Sequence, residues 1–435
     1  MNPGISRRFF IKRGALAFAA IGAGALFGPD FLRSSTLAAE PRRAVGGKRV
    51  LVCLFQRGAA DGLSMVVPYG DRDYYRLRSD IALPAPTRSA GAAAVLDLDG
   101  HFGLHPALAP LHELYKAGEL AVVHACGNPH GTRSHFEAQD LMEAGTDVDK
   151  TLLSGWLNRM IGVCPEDAAR HSALRAVAMT AQMPRSLQGS EEAIAIADLA
   201  RFGVSGGGAS MNASSAAQGF EQIYENAVGD ALHGAGEEGF AAMGLLKKVD
   251  PRGYVPAHGA QYPAGTFGRS LRQVAQLIKA EVGLEVAFVE IGGWDTHANQ
   301  GAAAGILANR LGEFGKGLAA LHRDLGEKMS DVTVLTMSEF GRTARQNGNR
   351  GTDHGFGTAF FALGGPVRGG RVLGKWPGLA PDKLHEGRDL AITTDYRDFF
   401  AEACVRHMGV SEKDLARVFP GFETSTNRFG GYLQS

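Results

Sequence analysis

Arg49-Val50-Leu51-Val52-Cys53-Leu54-Phe55, followed at once by Gln56-Arg57-Gly58-Ala59-Ala60-Asp61-Gly62, is the stretch on which the reading of the fold turns. Its first half is nearly continuously apolar, as a strand covered on both faces must be. Its second half sets an acid inside a Gly/Ala-rich turn at the strand end. Five further runs have the same character: Leu120–Ala125, Leu174–Met179, Val286–Ile291, Val332–Met337 and Thr358–Leu363. Amphipathic segments lie between them, at Pro106–Lys116, His135–Ala144, Gly268–Glu281 and Asn309–Lys328. Pro106 suits a first helical position, where its missing N–H costs nothing. Strands alternating with helices predict an α/β fold, a three-layer sandwich around a mostly parallel central sheet. Residues 203–219 (GVSGGGASMNASSAAQG) read as a flexible loop or linker, within a helical insertion or cap expected at about 185–265.

The N-terminus carries a different message. Ser6-Arg7-Arg8-Phe9-Phe10-Ile11-Lys12 has the twin-arginine pattern, and an Ala/Gly-rich apolar run from Ala15 to Phe27 follows. That run is shorter than the ~20 apolar residues that span a bilayer. Thr36-Leu37-Ala38-Ala39 then offers small residues suited to peptidase cleavage, so residues 1–39 are expected to be a signal peptide. The expected partner is the twin-arginine export machinery and the expected location periplasmic or secreted, with no stable membrane anchor after cleavage. Removing five of 45 basic and one of 45 acidic residues leaves 40 against 44, a net charge of −4. Such a charge gives no reason to expect nucleic-acid binding. The chain's 435 residues, 45% hydrophobic, supply one large domain. Its four cysteines, Cys53, Cys126, Cys164 and Cys404, form no CxxC or Cys-His cluster. With no haem motif or dinucleotide fingerprint either, an exported redox enzyme finds little support. Packing is the simpler role for Cys53 and Cys404, although an oxidising compartment permits a disulfide.

Ligands of open α/β sheets bind beyond the carboxyl ends of the strands, and polar residues gather there. Beyond the first run stands Asp61; beyond the second, Thr132-Arg133-Ser134-His135 opens a helix; beyond the fourth come Asp295-Thr296-His297. Ser338-Glu339-Phe340-Gly341-Arg342 follows Val332–Met337. Asp353-His354 precedes Thr358–Leu363 and must approach from the other direction. A lone Asp after a strand is usually a turn or cap residue, and Ser134 is a favoured N-cap type. Together, however, Asp61, Asp295, His297, Glu339, Asp353 and His354 form an O/N donor set suited to one or two divalent ions, Zn or Mn. Ser134 is the candidate nucleophile, with Thr132 an alternative; Arg133, Arg342 and Arg345 are candidate clamps for a tetrahedral oxyanion. His105 lies within reach of the same edge, and a helix-capping or core role is the simpler reading.

The motifs around Asp61-Gly62-Leu63, Phe102-Gly103-Leu104-His105-Pro106, Arg133-Ser134-His135-Phe136-Glu137-Ala138-Gln139, Gly292-Gly293-Trp294-Asp295-Thr296-His297 and Met337-Ser338-Glu339-Phe340-Gly341-Arg342-Thr343 resemble the exported family named domain of unknown function 1501. The resemblance covers nearly all of the mature chain. It implies an alkaline phosphatase-like fold, with Asp61 as first-strand metal ligand, Ser134 as nucleophile, Asp295 and His297 on one metal and His354 as the late histidine. Ser338-Glu339 stands where that superfamily usually has Asp-His, and the Asp295–His297 spacing is tighter than usual. Both departures bear on the second metal. The expected function is therefore an exported metal-dependent hydrolase acting on a small-molecule or polymer phosphate or sulfate ester. The alternative is a non-catalytic binding or envelope scaffold protein that retains the fold.

Overall fold

The computed structural model describes residues 49–87, 91–146, 152–165, 172–201, 245, 249–422 and 431–434. Lys48–Gly203 with Ala241–Ser435 forms one compact unit. The twin-arginine segment, the 203–219 linker and most of the expected insertion lie outside the described residues.

The strands in chain order are β1 (Val50–Gln56), β2 (Val66–Val67), β3 (Leu96–Asp97), β4 (Gly103–Leu104), β5 (Leu120–Gly127), β6 (Ala176–Ala178) and β7 (Ile194–Ala195), then β8 (Val286–Ile291), β9 (Val332–Met337), β10 (Thr358–Gly364), β11 (Arg371–Leu373) and β12 (Thr394–Asp395). Nine of them make one sheet, in the order β11-β5-β10-β9-β1-β8-β6-β7 with β12 also on β5. The fold is thus mixed α/β around a large, mostly parallel sheet. Among its described strands β10 alone runs against its neighbours, pairing antiparallel with β5 and β9. Ile194–Ala195 adds the last strand at the start of the region expected to be an insertion. A small antiparallel sheet, β2-β4-β3, stands apart.

The strands β1, β5, β9 and β10 are buried along their whole length, and β1 shows why its run from Val50 to Phe55 is continuously apolar. Val50, Val52 and Leu54 enter one core with Leu271 and Val274 of helix Thr266–Lys279 and Phe314 and Leu318 of helix Ile306–Leu325. Leu51, Cys53 and Phe55 point the other way, into a second core with Trp156, Met160, Phe399 and Phe400. Trp156 and Phe400 stack at 4.6 Å. Each such side chain stabilises the fold by about 2 kcal/mol on burial, so a polar residue anywhere from Val50 to Phe55 would damage one core or the other. All four cysteines are buried.

Two histidines belong to this framework. His105 caps the turn at Pro106, its Nδ1 accepting the Ala107 N–H at 3.0 Å. His124 accepts the Ala125 N–H at Nδ1 and donates from Nε2 to the Val66 carbonyl. Among the described residues no helix is long and apolar enough to cross a membrane.

Candidate metal centre

The reversed direction of β10 decides where the site lies. β1, β5, β8 and β9 end at one edge of the sheet, and β10 begins there, so His354 arrives at the same place as His135 and Asp295. Close backbone contacts fasten the loops. A Cβ on Gly351 would lie 2.3 Å from the His297 carbonyl carbon, and one on Gly355 would lie 2.3 Å from that of Arg342. Only glycine allows those approaches.

Three imidazoles converge at this edge, each held from behind. His135, the first residue of helix His135–Ala144, sets Nδ1 2.8 Å from Glu339 Oε1. His297 Nδ1 is 3.0 Å from Asp353 Oδ1, and His354 Nδ1 is 2.9 Å from the Arg133 carbonyl oxygen. Ionised carboxylates and carbonyls only accept, so each Nδ1 carries a hydrogen and each neutral ring presents a bare lone pair at Nε2. Those lone pairs face one another: His354 Nε2 lies 3.0 Å from both His135 Nε2 and His297 Nε2. Asp295 completes the group. Its Oδ1 is 2.9 Å from His297 Nε2 and 3.4 Å from His354 Nε2, and its Oδ2 is 3.6 Å from His135 Nε2. Lone pairs crowded against each other and against a carboxylate repel unless a proton or a cation sits among them. His135, Asp295 and His354 each offer an atom to one common point, and carboxylate or carbonyl partners behind ligating imidazoles are the usual way such rings are oriented. The donor set fits a divalent metal.

The electrostatics follow from these partners. The Glu339 bond raises the His135 pKa against the opposing effect of burial. Burial lowers that of His354, and the neighbouring His135 and Arg342 act in the same direction. Burial pushes Asp295 up, but the bond and charge of Arg342 prevail and hold it below the ordinary carboxylate range.

The structure separates residues that the sequence had placed together. Asp61 does not reach the converging point. It is buried, with Arg78 donating to both its oxygens at 2.7 and 2.9 Å and Gln300 to Oδ2 at 2.7 Å. Glu339 stands behind His135 rather than beside the lone pairs, accepting also from the Gly58 N–H at 2.8 Å and Gln139 at 2.9 Å. Asp353 stands behind His297 and accepts from Asn347 at 3.0 Å. Two of the three candidate clamps are engaged as well: Arg133 pairs with Asp389 and Glu386, each at 2.7 Å, and buried Arg342 pairs with Asp295 at 2.6 Å. Thr132 donates to Glu137 at 2.6 Å. Ser134 is exposed at the helix N-cap, makes no side-chain capping bond and immediately precedes His135.

His135 is the residue that sequence reasoning missed. The signal was present, a third imidazole one position past Ser134, but attention to the hydroxyl hid it.

Fold and site together define a mixed α/β protein with a histidine-rich, carboxylate-bearing cluster at one sheet edge. Residues 48–419 match the family described as protein of unknown function (DUF1501), and the chain belongs to that family. No curated protein matches it, and no solved structure does.

Proposed function

We propose that this protein is a metal-dependent hydrolase of phosphate or sulfate esters, exported by the twin-arginine route to the periplasm or beyond. The observation that carries the reading is the convergence of three imidazole Nε2 atoms on one carboxylate, each ring tied from behind through Nδ1. His135, Asp295, His297 and His354 would hold one ion, and three nitrogens with an oxygen suit Zn or Mn. A divalent ion held there would supply Lewis-acid polarisation of an ester oxygen. Ser134 supplies a solvent-facing hydroxyl next to a ligand and is the attacking group of this proposal. Glu339 and Asp353 fix the rings, and Arg342 fixes Asp295. A mostly parallel sheet with its polar cluster at the strand ends agrees with an alkaline phosphatase-like assignment, which is part of the proposal. The Arg7-Arg8 motif supports the export route.

One observation favours the non-catalytic binding reading instead: Arg133 and Arg342, which an oxyanion would need, already have carboxylate partners. The test is to measure bound metals in the purified protein and to assay aryl phosphates, phosphodiesters and sulfates, with Ser134→Ala and His354→Ala as controls. Stoichiometric metal, lost in His354→Ala, with turnover lost in both variants, is the expected result. Metal without turnover on any ester would favour binding, and absence of both would remove the proposal. Export is read separately: replacing Arg7 and Arg8 with lysine should hold the precursor inside the cell, and unaltered export would remove that part.

A further inference from the structure

Beside the cluster lies a cavity of about 270 Å³. Helix Arg72–Leu77 and two loops wall it. The Gln346 N–H donates to the Leu77 carbonyl at 3.0 Å, and the Ala344 N–H to that of Arg388 at 3.2 Å. Three arginines line it, Arg76, Arg345 and Arg388, and one acid, Asp353. Arg76 is satisfied by Asp73 at 2.9 Å, while Arg388 reaches Asp389 only at 3.4 Å. Arg345 is exposed and has no ion pair among the described residues. Thr343, Gln346 and Asn347 also line it, with the Gln346 amide bonded to Asp80 and the Asn347 amide to the His297 carbonyl and Asp353. Asp353 is shared: its Oδ1 also meets His297 Nδ1 at 3.0 Å, so one imidazole ring separates this cavity from the converging lone pairs.

A cavity below the ~300–1,000 Å³ of sites that enclose a whole drug-sized ligand holds one end of a molecule, not all of it. Arginine recognises tetrahedral anions and carboxylates through paired N–H donors. We infer that the substrate carries two anionic groups, one presented to the His135–Asp295–His297–His354 cluster and the other taken by Arg345 and Arg388 in the adjoining cavity. This rests on the hydrolase reading for the first group only. It selects bis-anionic or polyanionic esters over simple monoesters. It also supplies the arginine–anion contacts that the paired Arg133 and Arg342 do not.

The experiment measures binding rather than turnover, by calorimetry on the full chain with two probes of the same four-carbon chain, butane-1,4-diyl bisphosphate and butyl phosphate. The bisphosphate should bind about tenfold tighter or better, the effect of one charge-assisted contact. Arg345→Ala combined with Arg388→Ala should bring it to the level of butyl phosphate, whose own binding should not change. Both side chains lie at the surface, and an unchanged thermal melt confirms that the variant folds. Equal binding of the two probes, no binding of the bisphosphate, or equal weakening of both probes by the arginine changes overturns the inference. His354→Ala separates the two readings. Loss of bisphosphate affinity in the arginine variant but not in His354→Ala keeps the cavity and removes the role of the cluster.

Discussion

Asp61 and Asp295 each stand just past a strand that ends at the same sheet edge, and each meets a buried arginine. The Asp61 side chain is 1% exposed, and Arg78 and Gln300 take up both its oxygens. Asp295 is 43% exposed; its Oδ1 takes the Arg342 bond and also faces His297 and His354, and its Oδ2 turns toward His135. The first pair is sealed and holds the turn after β1 in place. The second is half open, with its arginine acting as a brace. An acid at a strand end is therefore not diagnostic in itself. Whether its oxygens are closed off by donors or left facing lone pairs separates framework from site.

The largest expected effect tests the sealed side. Asp61→Asn leaves the Arg78 charge buried and uncompensated, and should lower unfolding free energy in urea by about 3–5 kcal/mol. Asp295→Asn should cost less, because water reaches that position, yet it should abolish metal binding. Equal stability losses, or loss of metal from folded Asp61→Asn protein, would break the comparison.

A somewhat smaller effect comes from the sealed histidine His124, whose pKa is lowered to about 4 because burial disfavours its charged form. Its Nδ1 already accepts the Ala125 N–H, so a proton there has nowhere to point. The folded pKa lies below the unfolded value of about 6.5, so the unfolded chain binds the proton first. Stability is full above pH 6.5 and falls by about 3 kcal/mol as pH drops to 4. His124→Gln should remove that much of the pH dependence measured by urea titration; an unchanged slope would show that the ring is not held neutral.

The smallest effects concern the braces. Glu339→Gln, behind His135, should weaken metal binding about 10–100-fold in a chelator competition. Asp353→Asn should do less, since its side chain is half exposed and the amide oxygen can still accept from His297. The reverse order would mean that Asp353, not Glu339, orients the more important ring.

Much of the sheet was legible because burial on both faces leaves its mark on each strand separately. Val286–Ile291 and Val332–Met337 begin and end where the apolar runs do. The two- and three-residue strands β11 and β12 are too short for any periodicity to define. That Asp353-His354 approaches from the opposite direction was legible from its place before a run rather than after one. The division of labour among the acids was not. Asp61 and Asp295 occupy similar local sequence, and what separates them is Gln300, 239 positions from Asp61, and His135, which meets Glu339 across 204 positions. Local pattern carries no trace of partners so distant.

The reversed strand also bears on how the chain comes off the ribosome. Among the described strands β5 pairs only with β10, β11 and β12, all encoded later. Until residues past 358 emerge, an eight-residue apolar strand has no hydrogen-bonding neighbour, and β9 has an open side. Unpaired apolar edges recruit other chains. A protein stalled or truncated before His354 would thus combine an exposed edge with an incomplete cluster, which makes the segment from His354 through β10 the natural checkpoint for its synthesis.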